Sequence, residues 1–322
     1  MMRAAIAGLG RWGRAIVAAA QDCHQLRFVA AVETDLDGAR SFCAKHDIRL
    51  TDRLQDILSD STIDAVFIVT PHSLHREQVL ACAAAGKHVF CEKPLALTVN
   101  DASAMFAACR AAKVKLAVGH NRRFWPSMIA LRDTIRSGEL GTLLHVEGHN
   151  SNENSKAVLA GWRLSAAESP GGGLTGSGLH ILDSLVAMLG PVSTIQALLT
   201  TQREEPPQLD TATAVMQFAN GMSGTMSTIR MTPYYWRVHV FGTNGSAEVL
   251  GENSMILRKS GQAMIQREFP TTDTLRAEIE AFIAQCTERA PYPVSEEEVT
   301  STLAAFEGIL AAMRSGLAVK IQ

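Results

Sequence analysis

The chain has 322 residues, of which 47% are hydrophobic and 19% charged, and its formal net charge is −2 at pH 7. This length exceeds the ~100–200 residues usual for one domain and predicts two domains. The near-neutral charge gives no basis for nucleic-acid binding, and no apolar run reaches the ~18 residues of a membrane span. The six cysteines form no C-x-x-C pair or metal-ligand cluster, so we expect no metal site and a cytoplasmic protein with reduced thiols.

Short apolar segments alternate with helical ones in the first part of the chain. Predicted strands lie at "RAAIA", "RFVAAVE", "DAVFIVT", "HVFCEKP" and "VKLAVGHN", with helices between them. This alternation predicts a parallel sheet covered by helices on both faces. We assign residues 1–122 to this domain.

Strands outnumber helices in residues 123–322. A connecting helix is expected to stop at Gly138 or Gly141, and several strand segments follow it. Asn220-Gly221 and Asn244-Gly245 are typical of β-hairpins. Two helices close the chain, and the last begins with "SEEE", a Ser cap followed by an acidic first turn. The predicted fold class is α/β, with this second domain an α+β unit that has a mostly antiparallel, open sheet.

A glycine motif joins the first strand to the first helix. Gly8, Gly10 and Gly13 form G-x-G-x-x-G, with Arg11 and Trp12 inside it. In a dinucleotide-binding loop the first glycine allows the tight turn, the second lets a pyrophosphate approach, and the third lets helix and strand pack closely. The N–H groups of the helix N-terminus add to such a phosphate site.

Glu33 lies 20 residues beyond Gly13, at the end of the second strand. A carboxylate there accepts hydrogen bonds from ribose hydroxyls and repels a 2′-phosphate, so NAD is expected in preference to NADP. The alternative is a glycine-rich turn followed by an ordinary exposed glutamate.

Two later strand ends carry further candidates. Thr70 and Pro71 end the third strand, at the edge of the sheet where cofactors bind, although an ordinary strand-to-loop proline is the alternative. His75 follows in the next helix, where a capping or packing role competes with a functional one. Glu92 and Lys93 end the fourth strand, and a lysine there could polarise a substrate hydroxyl; the alternative is a surface ion pair before a turn.

The glycine-rich stretch "PGGGLTGSGLHILD" contains the candidate base, His180. Histidine suits this role because its ordinary pKa is near 6.5, and Lys93 would stabilise the developing alkoxide. Asp183 lies three residues on, on the same helix face, where it could orient His180 or contact the substrate. A structural histidine at a helix start is the alternative.

Other residues suited to substrate binding follow the fifth strand or precede the glycines. Asn121 and Arg123 are polar candidates, and Trp162 could stack on the apolar face of a sugar. Arg163 could bind a carboxylate or a pair of hydroxyls. His120, Asn150 and Asn152 complete the set.

These motifs, in their order and spacing, resemble the glucose–fructose oxidoreductase / inositol dehydrogenase (Gfo/Idh/MocA) family over essentially the whole chain. The residues that carry the resemblance are Gly8, Gly10, Gly13, Thr70, Pro71, His75, Glu92, Lys93, Pro94, Arg123, Phe124, Gly178, His180 and Asp183.

The resemblance implies an N-terminal Rossmann domain and a C-terminal domain whose open sheet often forms an oligomer interface, so we expect a homodimer or homotetramer. It implies a catalytic or substrate-positioning role for Lys93 and an acid/base role for His180. Many members have an Asp four residues before this histidine, where this chain has Gly176.

The expected function is hydride transfer between NAD and the CH–OH group of a sugar, cyclitol or related polyol, which makes the partner a small molecule. Two alternatives stay open. One is a hydrolase or epimerase that uses NAD transiently, and the other is an NAD-binding regulator without turnover.

Overall fold

The computed structural model describes residues 1–153, 162, 165–201 and 211–321. The chain folds into two compact units, Met1–Asn121 with Asp273–Glu296, and Arg122–Thr272 with Glu297–Gln322. The first break falls one residue before the predicted boundary. The segment Asp273–Glu296 departs from the predicted division, because it packs with the first unit.

Within the described residues the chain forms nine α-helices and fifteen strands. The helices are α1 Arg11–Ala19, α2 Leu36–Lys45, α3 Leu54–Leu58, α4 His72–Ala84, α5 Val99–Ala111, α6 Pro126–Arg136, α7 Leu179–Leu189, α8 Thr274–Cys286 and α9 Glu296–Ser315. The strands are β1 Met2–Ala7, β2 Leu26–Val32, β3 Arg49–Thr51, β4 Ala65–Ile68, β5 His88–Glu92, β6 Leu116–Gly119, β7 Leu143–Ser151, β8 Val192–Thr200, β9 Thr211–Phe218, β10 Ser223–Ile229, β11 Tyr235–Gly242, β12 Gly245–Leu250, β13 Ser254–Lys259, β14 Ile265–Glu268 and β15 Val319–Lys320.

The first unit contains a six-stranded sheet in the order β3-β2-β1-β4-β5-β6, and all its pairs are parallel. The predicted parallel sheet is therefore confirmed, with the short β3 added at one edge. Side-chain caps begin three of its helices, since Asp35 accepts a hydrogen bond from Gly38 N–H, Thr98 accepts one from Asp101 N–H, and Asp273 accepts one from Arg276 N–H. Such caps satisfy N–H groups that have no partner inside the helix.

Aromatic packing explains why α8 belongs to the first unit. Phe67 on β4 and Phe90 on β5 stack with ring centroids 4.8 Å apart. Phe282 of α8 packs edge-on against both rings, at 5.4 and 5.8 Å. Burying a side chain of this size contributes roughly 1.5–3 kcal/mol, and no local sequence pattern shows which sheet will receive it.

The second unit contains a nine-stranded sheet in the order β14-β13-β12-β11-β7-β10-β9-β8-β15, in which only β7 and β10 pair in parallel. Both predicted hairpins are confirmed. Asn220-Gly221 connects antiparallel β9 and β10, and Asn244-Gly245 leads from β11 into β12. Gly221 has φ +87°, a conformation that glycine adopts without strain. The sheet packs one face on the core, which includes Trp125 and Trp236.

Candidate active site

The glycine-rich loop lies between β1 and α1 with the geometry expected of a phosphate-binding turn. Gly8 has φ +96°, and a Cβ atom there would lie 2.6 Å from the carbonyl oxygen of Val69. A Cβ atom at Gly13 would collide with the carbonyl oxygen of Gly8, whereas one at Gly10 would meet no atom of the described residues within 4 Å. Gly8 and Gly13 are thus required by the backbone itself. Gly10 leaves open space beside the exposed start of α1, as the approach of a pyrophosphate requires.

Glu33 follows β2 and is hydrogen-bonded to this loop. Its Oε2 accepts the N–H of Leu9 at 2.7 Å, and its Oε1 accepts the N–H of Thr34 at 2.8 Å. The half-buried carboxylate is therefore held beside the loop. Oε1 also accepts the hydroxyl of Thr34 at 3.2 Å and the N–H of Asp35 at 3.4 Å.

Thr70, Pro71 and His75 connect the end of β4 to the end of β5. Pro71 occupies the N-cap position of α4, where it makes no side-chain hydrogen bond, and Thr70 donates its hydroxyl proton to Gln78 Oε1 at 2.6 Å. His75 is fully buried, with Nε2 3.0 Å from the carbonyl oxygen of Thr70 and Nδ1 2.9 Å from that of Pro94. These contacts are those of a residue that positions the two strand ends.

Glu92 and Lys93 lie at the end of β5, and Glu92 is only 8% exposed. Its Oε1 accepts the indole N–H of Trp12 at 2.7 Å, and its Oε2 accepts the N–H of Lys93 at 3.1 Å. A Cβ atom at Gly119 would lie 2.7 Å from Oε1, so only glycine leaves room for the carboxylate. Burial raises the pKa of Glu92 to about 7, although the Trp12 hydrogen bond and the Lys93 charge oppose that rise. The Lys93–Pro94 peptide bond is cis.

The first unit therefore brings most of the predicted cofactor residues to one edge of its sheet. The loop after β1 contacts the residues that follow β2 and β4 and the last residue of β5. Arg14, which sequence reasoning missed, also holds this loop, because its guanidinium donates to the carbonyl oxygens of Leu9 at 2.9 Å and Gly38 at 2.7 Å. A basic residue in a first helix carries no distinctive sequence signal.

In the second unit, the glycine-rich stretch forms a π-helical turn, Leu174–Gly178, that leads into α7. Asn150, in β7, and Asn152, just after it, both hydrogen-bond to this turn. Asn150 Nδ2 donates to the carbonyl oxygen of Ser177 at 3.1 Å, and Asn152 Nδ2 to its hydroxyl at 2.9 Å. His180 lies half-buried in the first turn of α7.

Asp183 binds Arg123 through both carboxylate oxygens, at 2.9 and 2.6 Å. Arg123 Nη1 also donates to Glu298 Oε2 at 2.7 Å, and the side chains of Arg123 and Asp183 are only 6% and 3% exposed. Burial alone lowers the pKa of Arg123, but the two carboxylates raise it well above its ordinary value. Glu298 was seen in the sequence only as part of an acidic helix start.

The structure also places three other predicted substrate residues. Asn121 opens a single 3₁₀ turn before α6, His120 is buried, and Trp162 is half-buried. Arg163 lies outside the described residues. Among the described residues, no group of three or more His, Cys, Asp or Glu side chains is arranged to hold a metal ion.

The dinucleotide loop, the strand-end glutamate and the parallel sheet define an NAD(P)-binding oxidoreductase. Residues 2–120 match the family described as "Oxidoreductase family, NAD-binding Rossmann fold", and residues 128–248 match "GFO/IDH/MocA C-terminal domain". The chain belongs to the Gfo/Idh/MocA family, as its motifs predicted.

Several relatives align over most of their length. The rhizopine catabolism protein MocA of Rhizobium meliloti is 27% identical over 94% of this chain and 92% of its own. The 1,5-anhydro-D-fructose reductase of Ensifer adhaerens is 29% identical over 74% and 72%. The crystal structure of aldose-aldose oxidoreductase from Caulobacter crescentus, complexed with glycerol, superposes with a TM-score of 0.88 at 26% identity and covers 99% of each chain.

No helix in the described part of the chain is both long and apolar enough to cross a membrane.

Proposed function

We propose that this protein is an NAD-dependent dehydrogenase or reductase that acts on the CH–OH group of a sugar, cyclitol or related polyol. The observation that carries the proposal is the 2.7 Å hydrogen bond from Trp12 in the glycine loop to Glu92, the residue before Lys93. This hydrogen bond fixes Glu92, and with it the adjacent Lys93, at the edge of the sheet where the dinucleotide loop lies. A sugar-type substrate is supported by the names of the relatives from Ensifer and Caulobacter.

Oxidation of an alcohol removes a hydroxyl proton while a hydride leaves the same carbon. Bound NAD supplies the hydride acceptor, and the residues that would hold it are Gly8, Gly10, Gly13 and Glu33. The proposed base is His180, whose imidazole takes the hydroxyl proton. The ammonium group of Lys93 stabilises the developing alkoxide charge.

Arg123 and Asp183 would act as positioning residues. Their bidentate pair joins the start of the second unit to α7, the helix that carries His180. Such a pair fixes both partners more firmly than a single contact does.

Glu33 supports a preference for NAD over NADP. Its carboxylate is held beside Leu9 of the loop by a 2.7 Å hydrogen bond, so a 2′-phosphate placed there would meet a fixed negative charge. The expected result is a higher kcat/KM with NAD than with NADP. Equal or better activity with NADP would contradict this assignment.

The mechanism is tested by Lys93→Met and His180→Ala, each assayed for NADH formation and, separately, for NADH binding. General acid–base and electrostatic groups contribute roughly 10²–10⁴-fold to turnover, so each variant should lose at least about 100-fold in kcat while still binding NADH. Lys45→Met and His24→Ala, on exposed surface, are the matched controls. Near-full turnover in both active-site variants would refute the mechanism.

The two alternative functions, a hydrolase or epimerase that uses NAD transiently and an NAD-binding regulator, differ from a dehydrogenase in net turnover. A hydrolase or epimerase that returns the hydride within one cycle would convert substrate without accumulating NADH. A regulator would bind NAD and convert none of the sugars, cyclitols and sugar acids in a panel. Retention of Lys93 and His180 favours the dehydrogenase.

We also propose that the protein forms a homodimer or homotetramer in the cytoplasm. The sheet face opposite the core carries an open depression of about 530 Å³ lined by residues such as Thr213, Thr225 and Tyr235. Nearby Leu198 and Val215 are 66% and 55% exposed, an apolar surface of the kind that interfaces cover. Light scattering should show a dimer or larger species that Val215→Arg weakens, whereas a monomer at micromolar concentration would contradict the assembly.

A further inference from the structure

Three polar side chains lie buried at adjacent positions on the core face of the second sheet. Asn150 of β7 pairs with Thr228 of β10 on one side and with Trp236 of β11 on the other. Asn150 and Thr228 are fully buried, and Trp236 is 1% exposed. The next inward positions of the same strands are apolar or glycine, namely Met226, Gly148 and Val238. The row of Thr228, Asn150 and Trp236 is therefore a polar break in an apolar core.

One atom of this polar row makes a side-chain hydrogen bond. Within the described residues, Thr228 Oγ1, Trp236 Nε1 and Asn150 Oδ1 are buried without a hydrogen-bond partner. A buried polar group without a partner destabilises a protein. Asn150 Nδ2 differs, because it donates to the carbonyl oxygen of Ser177 at 3.1 Å. That hydrogen bond is the contact through which the polar row acts on its surroundings.

The carbonyl group that Asn150 binds belongs to the π-helical turn Leu174–Gly178. In this turn the N–H of Leu179 bonds to the carbonyl oxygen of Leu174, five residues back. Turns of this kind are rare, and they contain one residue more than an α-helical turn. Asn152 binds only the hydroxyl of Ser177, whereas Asn150 holds the main chain of the turn.

The same turn packs closely against β10 and the residue after it. A Cβ atom at Gly178 would lie 2.9 Å from Thr228 Cγ2, and one at Gly176 would lie 3.8 Å from Arg230 Nη1. The main chain of the turn therefore lies directly on the sheet. A change in the Asn150 side chain acts on the turn at short range.

Ser177 lies three residues before His180, which is the second residue of α7. The first turn of a helix has N–H groups without partners in the helix, and helix ends fray. At 3.6 residues per turn, loss of the extra residue of the π-helical turn would rotate the segments on its two sides by about 100° relative to each other. A hydrogen bond to the Ser177 carbonyl restrains both movements.

We propose that Asn150 is a positioning residue for His180, and that its hydrogen bond to the π-helical turn keeps the imidazole where it accepts the substrate proton. This inference rests on the proposed dehydrogenase function. Proton transfer requires the base within ~2.6–3.2 Å of the hydroxyl, and a misplacement of ~1 Å can lower the rate ~100-fold. Asn150 thus acts from beneath the turn and does not contact the substrate.

The first test uses Asn150→Leu, which keeps the size of the side chain and removes the donor. With NAD and the best substrate of the sugar and cyclitol panel, kcat should fall about 10- to 100-fold. KM and NADH binding should stay within about threefold. Thr228→Val is the matched control, because it alters the same buried row without removing a hydrogen bond, and its kcat should stay within about twofold.

A second variant, Asn150→Asp, makes the contact depend on pH. A protonated carboxyl donates one hydrogen bond, whereas an ionised one only accepts, and burial raises the pKa of a carboxyl. Its kcat relative to the wild type should therefore be close to one at pH 6 and fall as the introduced carboxyl ionises at higher pH. A relative kcat as low as that of Asn150→Leu from pH 6 to 9 would overturn the proposal.

The imidazole ¹H–¹³C resonance of His180, assigned with His180→Ala, separates this inference from the proposed function. It should move in Asn150→Leu and stay in Thr228→Val, and the resonance of exposed His24 should stay in both. A moved resonance in a wild-type protein that converts no substrate would support the contact and refute the dehydrogenase. An unmoved resonance, or wild-type kcat in folded Asn150→Leu, would overturn the positioning role alone. Circular dichroism verifies folding.

Discussion

Glu92 provides a prediction whose magnitude follows from the structure. Its carboxyl group is 8% exposed, and burial raises its pKa to about 7. In the unfolded chain this pKa returns to about 4.5, so between these values the folded protein retains a proton that the unfolded chain has lost. Stability contributed by the neutral carboxyl is therefore complete below pH 4.5 and is lost as the pH rises to 7.

The size of this loss follows from the difference between the two pKa values. At ~1.4 kcal/mol for each pKa unit, the interval from 4.5 to about 7 gives about 3 kcal/mol in the free energy of unfolding. Glu92→Gln removes this dependence. The amide oxygen still accepts the Trp12 indole N–H, but Lys93 N–H loses its acceptor, at a cost of ~1 kcal/mol. The variant should therefore be less stable than the wild type at pH 4.5 and more stable at pH 8.

Two measurements test this expectation. The first is the free energy of urea unfolding of the wild type and Glu92→Gln from pH 4.5 to 8, with the exposed Glu77→Gln as a control that should follow the wild type. The second is the indole ¹H–¹⁵N resonance of Trp12, assigned with Trp12→Phe, which should titrate with a midpoint near pH 7. A stability difference that stays constant with pH, together with an indole resonance that does not move, would refute the reasoning.

Other contacts lead to further predictions. Gly10→Ala should leave the thermal stability of the cofactor-free protein unchanged, because its Cβ meets no atom within 4 Å in the described part of the chain, yet weaken NADH binding in a fluorescence titration. Gly13→Ala should lower both thermal stability and NADH binding, with a stability loss of roughly 1–3 kcal/mol from overpacking. Equal stability of Gly10→Ala and Gly13→Ala would contradict the expected difference. Arg123→Met should destabilise the protein by roughly 3–5 kcal/mol, since it removes the cation that binds both carboxylate oxygens of buried Asp183. Adding Asp183→Asn should recover part of that loss in denaturant unfolding, and a single-variant effect below about 1 kcal/mol would argue against a structural pair.

The features that sequence predicted well depend on neighbours along the chain. The spacing of Gly8, Gly10 and Gly13 between a strand and a helix identified the dinucleotide loop, and two Asn-Gly pairs located hairpins of the second sheet. Turn chemistry of this kind acts over a few residues, so it can be recognised in one sequence. The same is true of the strand-helix alternation that predicted the parallel sheet.

Contacts between distant residues were not predictable in this way. Trp12 and Glu92 are 80 residues apart, and Arg123 and Glu298 are 175 apart. Each residue alone is compatible with a surface position, and only the fold shows that its partner is present. The ion pair of Asp183 with Arg123 was not foreseen, and the expected role of Asp183, to orient His180 or contact the substrate, stays a prediction.

The sequence by itself determined the fold class, the cofactor loop and the family, because these depend on periodicity and on glycines at set spacings. Tertiary structure alone decided that α8 packs on the first sheet, that Glu92 is buried against Trp12, and that Arg230 lies beside Gly176. The physical reason is that burial and electrostatic environment belong to pairs of residues brought together by packing.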